Sequence, residues 1–434
     1  MSKVNLTAKQ LVAGLDKHIV GQDAAKKKVA IAVTNRWRRA ALPVEQQKDI
    51  IPKNILLVGP SGVGKTEIAR RLAAQVHAPF LKVEATKFTE VGYVGQDVEK
   101  IIKDLVEVAV RNEQDLLEKK NIKAAEKKAF STLLALMVEP KVCKVPNDIA
   151  ELKDMIASGE LDKVYVDVEL PSLSAAVEII VPPGLEEMSQ QIEQLFKSVG
   201  SDKVQSKRVS VPQAFKLIVG YELDKFIDAE DITDTALEKV ENYGVVFIDE
   251  IDKLIAKGNS SNSDISRGGV QRDLLPLLEG TVVSTKYGPV ATDHILFIAS
   301  GAFLESKPTD LASELQGRLP VVVNLDALTK SDLVKILKEP SASLINQYKW
   351  LLSSDGVKLS FSDEAIDLIA ETAFSMNKDI VNLGARRLTI VLESVLEPIL
   401  FNPGSAKEQL IDVKKVQSQV KNLLSKREDS KWVL

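Results

Sequence analysis

Residues Gly59-Pro60-Ser61-Gly62-Val63-Gly64-Lys65-Thr66 fit the pattern G-x-x-x-x-G-K-[ST] in full. The flanks match as well. Asn54–Val58 is a short apolar run of strand length, and Glu67–Leu72 continues as a helical pattern. A glycine-rich turn between a strand and a helix lets backbone N–H groups come close to an anion, and the new helix turns its positive end toward it. In that setting Lys65 reaches the β- and γ-phosphates of a nucleoside triphosphate, and the Thr66 hydroxyl ligates Mg²⁺. Gly62, Val63, Gly64 and Glu67 complete the expected phosphate cradle, with ATP and Mg²⁺ as its ligands. The alternative is a glycine-rich turn with no ligand, but strand, turn and helix together weigh against it.

A turn of this kind sits at the end of a parallel sheet strand. Further apolar runs supply the rest of such a sheet: Phe80–Glu84, Val245–Asp249, His294–Ala299 and Val321–Leu325, separated by helical stretches. Val245–Ile248 is apolar throughout, as in a strand buried on both faces, and runs straight into Asp249 and Glu250. Ligands of open α/β sheets lie at the carboxyl ends of the strands, where this acidic pair falls. Asp249 is then a Mg²⁺ ligand, directly or through water, and Glu250 polarises the attacking water. Taken alone, the pair also reads as an acidic helix cap after a strand.

The second and third runs are too far apart for one crossover, so a segment is inserted between them. With roughly 150 residues per domain, 434 residues make about three domains. The expected division is 1–109 with 233–327 as a nucleotide-binding α/β domain, 110–232 as a mostly helical insertion, and 328–434 as a C-terminal helical domain. Thr7 and Gln10 have capping-box spacing ahead of a helix carrying Leu11, Val12, Leu15 and Ile19, and a second helix covers Asp23–Ala41. Gly258–Gly269, rich in Ser, Asn and Gly, reads as a mobile loop. Ser362 is placed to cap a helix, and a last helix is expected near Lys414–Lys426.

Composition limits the function classes. The chain is 45% hydrophobic and 27% charged, with a net charge of −4 and three histidines, His18, His77 and His294. No stretch approaches the roughly 20 apolar residues of a membrane helix. Met1–Gln10 lacks the apolar core of a secretory signal, and the single Cys143 excludes an internal disulfide. A cytoplasmic protein is expected, with no membrane and no nucleic-acid partner, and with little scope for histidine-based catalysis.

With both motifs in hand, the chain resembles the AAA+ ATPases, and within them the HslU (ClpY) family of unfoldases that serve the HslV peptidase. The stretches carrying the resemblance are Leu15–Gln22, Asn35–Arg39, Gly59–Leu72, Gly92–Gly95, Val270–Gly280, Glu314–Pro320 and Gly384–Leu388. The inserted segment matches least. The resemblance implies a homohexameric ring that uses ATP to unfold protein substrates and feed them to an HslV-type peptidase.

It also implies individual roles. Arg318 matches the arginine finger that reaches a neighbour's γ-phosphate; the alternative is a solvated arginine at a strand edge. Glu314 falls where the family contacts the nucleotide, or else pairs with Arg318 four residues on. Arg386 matches the sensor-2 arginine, with Arg387 as its neighbouring candidate. Val20 lies in the adenine-contacting segment, or is simply a core valine. Gly92-Tyr93-Val94-Gly95 matches a pore loop whose aromatic grips polypeptide, and is otherwise a surface turn. Ser300 stands where many relatives carry Asn or Thr. The tail Trp432-Val433-Leu434 matches a peptidase-docking end, or tucks against its own domain.

Overall fold

The computed structural model describes residues 6–50, 53–89, 96–138, 146–171, 204–226, 229–255, 262–379, 382–403 and 407–429. Contacts divide the chain into two compact units, residues 1–110 with 235–434, and residues 111–234. In chain order the strands are β1 (Ile55–Val58), β2 (Phe80–Glu84), β3 (Tyr165–Pro171), β4 (Val204–Ser210), β5 (Val245–Asp249), β6 (Val282–Thr285), β7 (Gly288–Ala291), β8 (Leu296–Gly301), β9 (Val321–Asn324), β10 (Lys358–Phe361) and β11 (Glu408–Ile411).

The first unit is built on a five-stranded sheet ordered β2-β5-β8-β1-β9, parallel at every pairing. All five runs expected from sequence are there. Val245–Ile248 and Leu296–Ala299 are buried, which explains their unbroken apolar character, since a central parallel strand has no solvent face. The edge strands read differently: β2 carries Lys82 and β9 exposes Val322. The helix Ala8–Asp16 starts on the predicted Thr7/Gln10 capping box, and Asp23–Ala40 follows. The helix Lys65–Gln75 buries Ile68, Ala69, Leu72 and Ala73.

The C-terminal segment contributes helices Lys330–Lys338, Leu344–Ser353, Asp363–Asp379, Arg386–Phe401 and Val413–Asp429. Their apolar faces, including Leu337, Ile369, Val391 and Leu396, join the same core as Ile55, Ile68 and Leu72. That shared core places residues 328–434 in one unit with the sheet.

The second unit holds the helices Ile149–Ala157 and Val211–Asp224 and the antiparallel pair β3–β4, in register from Tyr165 with Ser210 to Pro171 with Val204. Leu133, Leu152, Val166, Val168, Phe215 and Ile218 form its core.

Two differences from the sequence reading have physical causes. The expected loop Gly258–Gly269 is helical from Asn262, within the helix Asn262–Glu279. Its later turns bury Val270, Leu274 and Leu277, and that burial carries a polar, glycine-bearing first half. The pairs β6–β7 and β10–β11 carry no expectation from sequence, because four-residue strands give too few alternations to register.

Candidate nucleotide-binding site

β1 delivers the chain into the 59–64 turn, and Gly62 and Gly64 take φ values of +70° and +102°. The two glycines are required for different reasons. A Cβ on Gly64 would meet nothing within 4 Å, so only its backbone angle demands glycine. A Cβ on Gly62 would lie 2.1 Å from the Leu383 carbonyl oxygen, so there the demand is also steric.

Val63 is buried, and Thr66 is half-buried at the head of the helix. Lys65 Nζ donates to the carbonyls of Gly59 at 2.7 Å and Pro60 at 2.8 Å. Burial pulls the Lys65 pKa below its usual value; Asp249 and Asp252 favour the charged form, and Arg386 opposes it. A partly desolvated ammonium held over neutral carbonyls is suited to an anionic oxygen. Glu67 is committed elsewhere, pairing with Arg70 at 2.7 Å and Arg71 at 2.6 Å. Burial pushes its pKa up, but the hydrogen bonds from Arg71 and Arg70 prevail and hold it low.

Asp249 closes β5. Its Oδ1 accepts from Ser300 Oγ at 2.5 Å and from the Glu250 N–H at 3.1 Å, while Oδ2 lies 3.3 Å from Lys82 Nζ. Glu250 is exposed, with φ of +59°, an unfavourable backbone region for a residue with a Cβ. Strain of this kind collects at functional positions. Ser300 is fully buried one sheet position away, so the residue that departs from the family pattern still gives Asp249 a donor.

The turn Leu383–Ala385 lies directly on the phosphate loop. The Ala385 N–H donates to the Gly62 carbonyl at 3.0 Å, and Arg386 Nη1 is 3.4 Å from Ser61 Oγ. Asn377 clamps this turn from behind: its Nδ2 donates to the Gly384 carbonyl at 3.0 Å and its Oδ1 accepts from the Leu383 N–H at 3.0 Å. Asn377 carries no sequence signal of its own, standing seven residues before Gly384. Arg386 is exposed beside the loop whereas Arg387 is 1% exposed.

Val20 is half-buried beside the buried Ile19. The following Gly21 and Gln22 both have positive φ, and the Gln22 side-chain amide pairs with the backbone of Asp326 at 2.8 and 3.1 Å.

Arg318 is not part of its own chain's loop. Its carbonyl accepts from Asn54 Nδ2 at 3.2 Å, and Asn54 precedes β1 while the turn follows it. A strand rises about 3.3 Å per residue, so the two ends are about 15 Å apart. The Arg318 guanidinium pairs with Glu279, at 2.9 Å from Nη2 and 3.0 Å from Nε, rather than with Glu314. Glu314 is exposed. Its own backbone N–H and the Ser313 hydroxyl hold its carboxyl below the usual range. The Gly92–Gly95 loop with Tyr93 and the tail Trp432–Leu434 lie outside the described residues.

Among the described residues no group of three or more His, Cys, Asp or Glu is placed to hold a metal. The donors in this site are the Thr66 hydroxyl and the Asp249 carboxylate. Such hard oxygens suit Mg²⁺, which keeps waters and binds through one or two side chains together with phosphates.

Three family models match. One described as an ATPase family associated with various cellular activities (AAA) covers residues 55–145, and an AAA domain (Cdc48 subfamily) covers 174–339. The C-terminal, D2-small domain of ClpB protein covers 328–420. The chain is built from AAA+ ATPase domains. The order of an AAA sheet domain followed by a ClpB-like small domain is that of a Clp/HSP100-type ATPase, and ATP hydrolysis is the activity these domains carry. Among the described residues no helix is long and apolar enough to cross a membrane.

Proposed function

We propose that this AAA+ ATPase is an ATP-driven protein unfoldase of the HslU (ClpY) type, working as a homohexamer that passes substrates to an HslV-type peptidase in the cytoplasm. The observation that carries the reading is the separation of Arg318 from its own phosphate loop. The Arg318 backbone lies at the opposite end of β1 from its own Lys65 turn and its guanidinium is held by Glu279, a placement that favours a role toward a neighbouring chain in a head-to-tail ring.

In this reading the turn Gly62–Thr66 binds the phosphates of ATP through backbone N–H groups, with Lys65 drawn off the carbonyls of Gly59 and Pro60. Thr66 and Asp249 hold Mg²⁺, which when bound neutralises charge on the phosphates. Ser300 fixes the Asp249 carboxylate, and Glu250 accepts a proton from the attacking water. Arg318 of the adjacent protomer stabilises charge as the bond breaks. Val20 lines the base, and Glu314 stands near the interface on the same short helix as Arg318.

Arg386 and the Ala385–Gly62 hydrogen bond tie the C-terminal helices to the loop, so a change in phosphate contacts shifts those helices. That movement carries the Gly92-Tyr93-Val94-Gly95 loop along polypeptide, and Trp432-Val433-Leu434 engages the peptidase. The peptidase partnership rests on the resemblance of the quoted motifs.

Reconstitution tests it. Mixed with an HslV-type peptidase and ATP, the chain stimulates cleavage of a folded protein, and removal of Trp432–Leu434 abolishes the stimulation. ATP turnover with no stimulation would leave an AAA+ ATPase with a different partner.

A further inference from the structure

Asp249, on the reading above a Mg²⁺ ligand, has both oxygens engaged by the protein's own groups. Oδ1 takes the Ser300 hydroxyl and the Glu250 N–H, and Oδ2 faces Lys82 Nζ at 3.3 Å. Lys82 comes from the neighbouring strand β2, two residues before Glu84, which is in register with Asp249. Glu84 is not its partner, being paired with Lys87 at 3.2 Å. Lys65 is a second cation whose field reaches Asp249.

A divalent ion approaching Asp249 therefore meets a carboxylate that already answers Lys82 directly and lies in the field of Lys65, which Asp252 shares. Like charges at such range repel in a partly buried site, and an added anion relieves them. The triphosphate is that anion: it draws Lys65 to itself and brings its own charge to the ion.

We propose that Lys82 is a positioning residue that holds the Asp249 carboxylate before the metal arrives, and that its charge makes the site reject free Mg²⁺ and accept it with nucleotide. Lys82 yields Oδ2 as the metal–nucleotide complex binds. Its side chain is 39% exposed, against 18% for Asp249, so it has room to turn outward into solvent. This inference rests on the assignment of Asp249 as a Mg²⁺ ligand.

The test uses Mn²⁺ as a paramagnetic probe, titrated into the full chain and read by electron paramagnetic resonance, with and without ADP. The variants are Lys82→Met, Lys82→Arg and Asp249→Asn, with Lys82→Gln replacing the first if that one does not fold. In Lys82→Met, Mn²⁺ binding without nucleotide tightens by about tenfold, the gain with ADP shrinks, and Lys82→Arg behaves as the unchanged chain. Unchanged or weaker Mn²⁺ binding in Lys82→Met, while Asp249→Asn still weakens it, overturns the role of Lys82 and leaves the metal site standing. Asp249→Asn without effect on Mn²⁺ binding removes the metal-site assignment and this inference together.

Discussion

Ser300 Oγ donates to Asp249 Oδ1 at 2.5 Å, joining the ends of β8 and β5 at the point where the acidic pair meets the phosphate loop. Ser300 is fully buried, so water does not replace its hydroxyl when it is removed. A hydrogen bond to a charged group is worth about 1.5–3 kcal/mol, which as a rate is roughly tenfold to a hundredfold. Ser300→Ala is expected to lower the ATPase kcat by that factor while ATP affinity stays within about twofold, and Ser300→Thr should recover most of the loss. Steady-state ATPase kinetics with a separate nucleotide titration decide it; an unchanged kcat would remove Ser300 from the site.

The glycine turn on the phosphate loop has its own signature. Gly384 has φ of +55°, and a Cβ there would lie 2.6 Å from the carbonyl oxygens of Ser61 and Gly62. Gly384→Ala therefore meets both strain and a backbone clash, an expected cost of about 1–3 kcal/mol. The melting temperature should fall, and the rise in it on adding ADP should shrink, since the clash bears on the loop itself. Gly356→Ala is the control. Gly356 also has positive φ, +74°, but no neighbour within 4 Å, so it should lose some stability and keep the full ADP response. Equal ADP responses in both variants would refute the coupling.

Arg318 and Lys65 are expected to complement each other between chains. Arg318→Ala should bind ATP normally and hydrolyse almost none, and Lys65→Thr should fail to bind. Mixed in one assembly, some interfaces pair an intact Lys65 loop with an intact Arg318, and turnover should reappear. Mixtures as inactive as either parent would contradict a finger acting across chains.

His294 gives a pH test away from catalysis. Its Nδ1 lies 2.7 Å from Arg39 Nη1, and burial, then Arg39 and Arg36, depress its pKa below 6.5. Between the depressed folded value and 6.5 the folded chain keeps this ring neutral while the unfolded chain protonates it. The stability it supports is present above pH 6.5 and is lost as pH falls toward the depressed folded value. His294→Gln should flatten the fall of melting temperature with pH in that window. A slope identical to that of the unchanged chain would refute the depressed pKa.

The sheet and the phosphate loop were readable because their signals are local and unbroken. Gly59–Thr66 carries its chemistry in eight consecutive residues, and Val245–Asp249 states its burial on both faces in its apolar run. What escaped is what depends on residues distant in sequence. Ser300 meets Asp249 across 51 positions, and Lys82 finds Asp249 through strand order alone. Arg386 and Arg387 differ in which helix face meets the core, and adjacent residues look alike in a sequence. The helix at Asn262 was hidden by its polar first half, whose stability comes from Val270 and Leu274 further on.

The most direct test of the account is ATP retention by Glu250→Gln. In the proposed mechanism a triphosphate occupies the Gly59–Thr66 turn and the Glu250 carboxylate drives its hydrolysis. Incubated with γ-labelled ATP and Mg²⁺ and then filtered, this variant should hold ATP with the affinity of the unchanged chain and release almost no phosphate. Release of phosphate at the rate of the unchanged chain, or failure to hold ATP at all, would contradict it.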